Sequence, residues 1–160
     1  MAETPIIMRE QQYHRIKVVL AKLRLDAAAR VTFLVDKAGQ PIAVHGEIGN
    51  LDTTSLASLA AGNVAATGGM AQLIGEKEFP TLSHEGEREH IHICIIGRTL
   101  LIVVFDDRSS LGLVKLRVKQ AAHELAMLFE EIIRESENHK QQDDAFFNEI
   151  TDDDIESLFS

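Results

Sequence analysis

"TTSLASLAAGNVAATGGMAQLIG", residues 53–75, holds no Asp, Glu, Lys or Arg in a chain that is 26% charged. Asp52, Thr53 and Thr54 supply helix-capping side chains at its start, so the stretch reads as a helix of several turns. At about 100° per residue two faces separate. Leu56, Leu59, Met70, Leu73 and Ile74 gather on one, with Ala60 and Ala66, while Ala57, Ala61, Ala65, Gly68 and Gly69 gather on the other. The bulky face is expected to lie on the rest of the fold, which turns the small face outward. A helix uncharged all round is ordinarily buried all round, so that small face is expected to meet a second polypeptide. Small residues four apart let another backbone come close. Gly62, Gly68 and Gly69 each cost about 1 kcal/mol inside a helix, which asks for a packing reason. The alternative cover is a loop of the same chain, but no spare element long enough remains after the assignments below.

Working outward, residues 8–27 place Ile16, Val19, Leu20 and Leu23 on one face of an amphipathic helix. "RVTFLVDKAGQPIAVHG" gives two β-rich segments around a Gly-containing turn, a hairpin with Pro41 at the edge of its second strand. After Gly75 a strand is expected around Phe79 to His84, then "HIHICII" and "TLLIVVFD" joined by "GR". The last is apolar without alternation, as expected of a central strand covered on both faces. From Leu113 to Ile133 a helix aligns Val114, Val118, Ala121, Ala122, Leu125, Leu128, Phe129, Ile132 and Ile133 along one stripe. The predicted fold is α/β (α+β): a five-stranded antiparallel sheet with two helices on one face and one on the other, in the order α-β-β-α-β-β-β-α.

With 160 residues and 45% hydrophobic composition, the chain has material for one ordinary domain plus a tail. A net charge of -9 without a strong basic patch argues against nucleic acid and anionic lipid as partners. No run approaches the about 18 apolar residues of a membrane span, and the N-terminus carries no secretion signal, so a cytoplasmic protein is expected. The single cysteine, Cys94, lies in an apolar run and is read as a core residue.

The stretches "VTFLVDKAGQPI", "LDTTSLASLAAGNVAATGGMAQLIGE", "FDDRSSLGLVKLRVKQA" and "EITDDDIESLF" resemble the roadblock (dynein light chain type) family, and within it the MglB-type subset of bacterial polarity and motility regulators. The resemblance covers most of residues 30–159. It implies a roadblock-like sandwich and a homodimer in which the central helices of two subunits lie side by side while the sheet continues across the dyad. It further implies that two such chains receive one small Ras-like GTPase of the MglA type on that helical platform, stimulating GTP hydrolysis. Concentration at a cell pole belongs to the same implication. Carried onto "AGNVAATGG", the partner-facing positions are Ala65 and Gly69, with Ala61 and Gly68 nearby. Lys115 and Lys119, in a basic cluster with Arg108 and Arg117, are candidates for a rim contact to an acidic patch on the GTPase, against the commoner reading of a solvated face.

The roadblock domain is expected over residues 8–134, a polar flexible linker over 135–145, and an acidic amphipathic C-terminal helix over 146–160. Thr151 can cap that helix, Asp154 takes its third position, and Asp152 and Asp153 suit its positive end. Phe146, Phe147, Ile150, Ile155, Leu158 and Phe159 leave an apolar stripe in need of a partner. A helix of under about 12 residues is marginal alone, so it is expected to order on docking. By resemblance it engages a second site on the GTPase and promotes nucleotide exchange; folding back on its own domain is the alternative.

No catalytic residues, metal or cofactor are assigned. A supplied arginine finger contributes about 10³ to 10⁵ in GTPase rate. The proposed face has no arginine, and the loop residues Arg98 and Arg108 are the ones to test. "HEGEREHIH" puts His84, His90 and His92 near carboxylates but lacks HExxH, so a polar hairpin is the ordinary reading. "GNVAATGG" lacks the GK[ST] ending of a phosphate-binding loop, and no GxSxG elbow is present. A scaffold that only holds a complex together is the rival to a GTPase regulator.

Overall fold

The computed structural model describes residues 8–149, with side chains through residue 145. Its elements are α1 (Glu10–Asp26), β1 (Val31–Asp36), β2 (Pro41–Gly46), α2 (Thr53–Leu73), β3 (Thr81–Glu85), β4 (His90–Ile96), β5 (Thr99–Phe105) and α3 (Leu111–Glu149). Element order is the one the sequence predicts. The five strands form one sheet, β2-β1-β5-β4-β3, in which every neighbouring pair is antiparallel.

β5 is central, and all seven of its residues are buried, as its unalternating apolar run requires. Strand alternation sends Leu101, Val103 and Phe105 into the core beneath α1 and α3, and Leu100, Ile102 and Val104 into the core beneath α2. The first core is closed by Ile16, Leu20 and Leu23 of α1 and by Val114, Val118, Leu125, Leu128 and Ile132 of α3. These helices run antiparallel, tied by Arg15 to Glu131 at 2.9 Å and Lys22 to Glu124 at 3.4 Å. Exposed pairs of this kind are worth under about 1 kcal/mol each, so the apolar stripes hold the layer together.

The second core overturns one expectation. Ala57, Ala60, Ala61, Val64 and Ala71 are the buried residues of α2, while Leu59, Met70, Leu73 and Ile74 face outward. An alanine-rich stripe lies on the sheet, and it cuts across the two predicted faces: Ala57 and Ala61 of the small face are buried with Ala60 of the bulky one, whereas Ala65 and Gly69 are exposed. Beneath it the sheet already presents Phe33, Ile93, Leu100 and Ile102, and a close-packed interior sets small side chains opposite large ones. The β1–β2 turn shows how close the approach is. Gly39 has φ +96°, and a Cβ there would stand 3.1 Å from the Cα of Ser58 in α2, so both conformation and space demand glycine.

Residues 135–145 are also not a flexible linker. α3 runs unbroken to Glu149, and residues 137–145 are exposed along it. "ESENHKQQDDA" is polar but contains neither Gly nor Pro and is rich in helix formers, with His139 and Asp143 paired at 3.5 Å one turn apart. Polarity there reports solvent on all sides rather than loss of helix. Residues 146–149 continue α3, so the predicted C-terminal helix does not begin afresh at 146; its remaining positions, 150–160, lie outside the described residues.

Candidate functional site: the outer face of α2

α2 begins at Asp52, whose carboxylate accepts the Ser55 backbone N–H at 3.0 Å and the Ser55 hydroxyl at 2.7 Å. The side-chain bond first, then the backbone bond, holds the Asp52 pKa below its ordinary value. Thr67 returns its hydroxyl to the Asn63 carbonyl at 3.0 Å. The Asn63 amide stands 2.8 Å from His84 Nε2, which links α2 to the edge strand β3.

The outer face divides lengthwise. Leu59, Asn63, Ala66, Met70 and Leu73 follow one another at four- and three-residue intervals, on the flank where Asn63 meets His84 of β3. Leu59 is 72% exposed and Leu73 is 88% exposed, values ordinarily seen for charged side chains rather than leucines. Ser58, Gly62, Ala65 and Gly69 form a second row, on the side of Gly39 and the β1–β2 turn. A Cβ added at Gly62, Gly68 or Gly69 would meet nothing within 4 Å. The packing reason for these glycines is therefore not met by the described residues of this chain.

The sequence-derived residues do not form a single patch. Ala65 and Gly69 are exposed on this face, and Gly68 is half-buried. Ala61 is buried, its Cβ pointing toward Gly39, and drops out of the accessible set. Lys115 and Lys119 are exposed on α3, which covers the opposite face of the sheet, so the whole sheet separates them from α2. Phe146 and Phe147 fall in the backbone of α3, while Ile150, Ile155, Leu158 and Phe159 lie outside the described residues. What the sequence reading missed is the exposed row of Leu59, Met70 and Leu73. The bulk of the strands below was the signal that could have found it.

Arg108 is engaged within its own loop: its Nε donates to Asp106 at 3.0 Å, and its guanidinium lies 3.6 Å from Glu47. The Asp106 bond, followed by the charges of Asp106 and Glu47, raises the Arg108 pKa further. Arg98 occupies the β4–β5 turn, where its carbonyl accepts the Lys37 backbone N–H at 3.0 Å.

The histidines diverge. His84 faces α2, whereas His90 lies 3.6 Å from Asp107 on the other side of the sheet. His92 is buried beside it, 2.7 Å from the Ser83 hydroxyl, and burial lowers its pKa. Among the described residues no three His, Cys, Asp or Glu side chains converge as a metal site. Cys94 packs half-buried against the α1/α3 core, and burial raises its thiol pKa, which disfavours the reactive thiolate.

A model of the Roadblock/LC7 domain matches residues 15–106, from the first turns of α1 through the end of β5. The chain belongs to the Roadblock/LC7 family. Among solved structures this roadblock protein is 53% identical to Myxococcus xanthus MglB, covering 79% of its own length and 96% of that chain, with a TM-score of 0.74. It is 34% identical to the gliding protein MglB of Thermus thermophilus, covering 81% and 99%, with a TM-score of 0.75. An MglB with a tetrameric arrangement is also 34% identical, covering 82% and 99%, at a TM-score of 0.76. No curated protein sequence matches. These relatives place the roadblock protein in the MglB-type regulator group. No helix among its described residues is long and apolar enough to cross a membrane.

Proposed function

We propose that two copies of this chain pair through α2 and β3 and receive one GTP-loaded, MglA-type Ras-like GTPase on the paired α2 helices, accelerating hydrolysis without an arginine finger. The observation that carries the reading is the outer face of α2: large apolar residues in the open beside glycines that nothing in the described chain requires. The first row suits a permanent interface between copies, since obligate interfaces resemble a core cut in half. The second, narrow row suits close approach by a partner backbone.

Sheet edges support pairing through β3. On the opposite edge, β2 begins with Pro41, and the Lys17 ammonium donates to the Val44 carbonyl at 2.7 Å. Both features blunt strand addition there. β3 forms the other edge and carries Ser83, His84 and Glu85 exposed, on the same flank as the apolar row.

The chain brings no catalytic group of its own to the reaction. Arg108 is already held by Asp106 and Glu47, and the α2 face has no charge to offer. Acceleration then comes from population shift: the platform binds the GTPase conformer whose own residues are aligned for water attack, and it moves the equilibrium only by that difference in affinity. The C-terminal segment, with Phe146, Phe147, Ile150, Ile155, Leu158 and Phe159, engages a second surface of the same GTPase and promotes nucleotide exchange. A helical α3 extension delivers it about 20 Å beyond Ser136, at 1.5 Å per residue, rather than on a slack tether. Action in the cytoplasm, concentrated at a cell pole, belongs to the same reading.

The test adds the purified protein to a GTP-loaded MglA-type GTPase and follows phosphate release and nucleotide exchange. Stimulated hydrolysis is expected, lost in Ala65→Arg/Gly69→Arg and kept in Arg108→Ala. Truncation after Glu137 should lower exchange while sparing the dimer. A stable complex with neither rate altered would replace the regulator by a scaffold. Loss of stimulation in Arg108→Ala with binding intact would restore an arginine finger.

A further inference from the structure

At the end of the sheet that carries the β1–β2 and β4–β5 turns, on the α1/α3 side, a groove of about 660 Å³ opens between those turns and α3. Its lining is mainly apolar, with Ile42, Ile96, Phe129 and Ile133 along the floor and walls. Ile133 is 38% exposed there although it belongs to the stripe predicted for the core. Met8, the first described residue, already lines the groove and packs against the α1/α3 core. The sequence entering Met8 is Met1-Ala2-Glu3-Thr4-Pro5-Ile6-Ile7, with Glu3 and Thr4 polar and the three residues before Met8 apolar.

We propose that residues 1–7 of this same chain are the occupant of the groove, with Pro5, Ile6 and Ile7 laid against Ile42, Ile96, Phe129 and Ile133. Covalent continuity is the first argument. Ile7 and Ile6 are one and two Cα steps of about 3.8 Å from a residue that is itself in the lining, so their effective concentration at the groove exceeds that of any free partner. Chemistry is the second. Apolar surface left in water is unfavourable in proportion to its area, and the segment and the groove each expose apolar groups that the other can cover.

Reach disfavours the other end of the chain. α3 passes Ile133 and continues to Glu149, which carries the backbone about 24 Å away at 1.5 Å per residue. The proposal is independent of any GTPase.

The test uses the full-length protein. Deleting residues 2–7, or the milder Ile6→Asp/Ile7→Asp, should lower Tm by about 5 °C and speed amide exchange at Ile96 to Thr99 roughly tenfold. Ile133→Asp should cause a similar loss, and combining it with the deletion should add little, because both remove one contact. In a Cys94→Ser background, Ile6→Cys with Ile133→Cys should be joined by a short bis-maleimide within one chain. Unchanged Tm and exchange after the deletion, strictly additive losses, or cross-links formed only between chains would each overturn the assignment, the last in favour of a second copy as donor.

Discussion

The sheet is covered twice, and the two covers are built on opposite principles. On one face α1 and α3 send Ile16, Leu20, Leu125 and Ile132 inward and turn Arg15, Lys22, Glu124 and Glu131 outward, pairing them across the helix boundary. On the other, α2 sends alanines inward and turns Leu59, Met70, Leu73 and Ile74 outward with no charge among them. The first layer buries its main apolar stripes within a single chain. The second buries little of its own bulk and leaves its largest apolar groups for another surface. The difference teaches that an amphipathic helix can be mounted inside out when the sheet beneath it already supplies the volume.

Replacing the same residue type in the two layers gives the sharpest contrast. Leu125→Ala, in the fully buried α1/α3 core, should cost about 2–5 kcal/mol in denaturant unfolding. Leu59→Ala should change the stability of the isolated fold by less than about 0.5 kcal/mol while weakening self-association in sedimentation at low concentration. Equal unfolding costs at the two sites would break the contrast between a closed and an open layer.

A smaller effect is expected at Gly62, where a methyl group meets no atom within 4 Å in the chain. Gly62→Ala should stabilise the fold by about 0.5–1 kcal/mol in thermal melts, by reducing the freedom of the unfolded chain. If a partner backbone closes over that row, the same substitution should weaken partner binding. Gain of stability with unaltered binding would leave the glycine without a role in an interface.

The smallest effect is a pH slope on the α1/α3 side. Burial lowers the His92 pKa from its ordinary value of 6.5, so in acid the unfolded chain takes up a proton that the folded chain resists. Its contribution to stability is complete above the ordinary value and is lost as pH falls through the lowered folded value. Denaturant midpoints measured downward from pH 7 should decline over that window in the parent, and decline less in His92→Gln. Parallel profiles for the two proteins would remove His92 as the source.

Much of this architecture was legible in the chain. The unbroken apolar run of residues 99–105 marked the central strand, the "DKAGQP" turn marked the hairpin, and the stripe from Val114 to Ile132 marked the helix packed beneath the sheet. The absence of charge over residues 53–75 marked α2 as an element whose two sides are both apolar. Periodicity then reached its limit: it sorts residues into faces, but when both faces are apolar it does not say which one meets the sheet. The solvated end of α3 was misread for a related reason, because a polar stretch without Gly or Pro is compatible with a linker and with a helix in water alike.

By itself the sequence determined the order of elements, the two-sided burial of β5 and the singular composition of α2, because these follow from local periodicity and side-chain chemistry. Only the tertiary structure decided that alanines meet the sheet and leucines meet solvent, that Ala61 is hidden, and that Lys115 and Lys119 stand on the far side from α2. Those outcomes depend on the volume filling the space between layers, and that volume is contributed by residues distant along the chain.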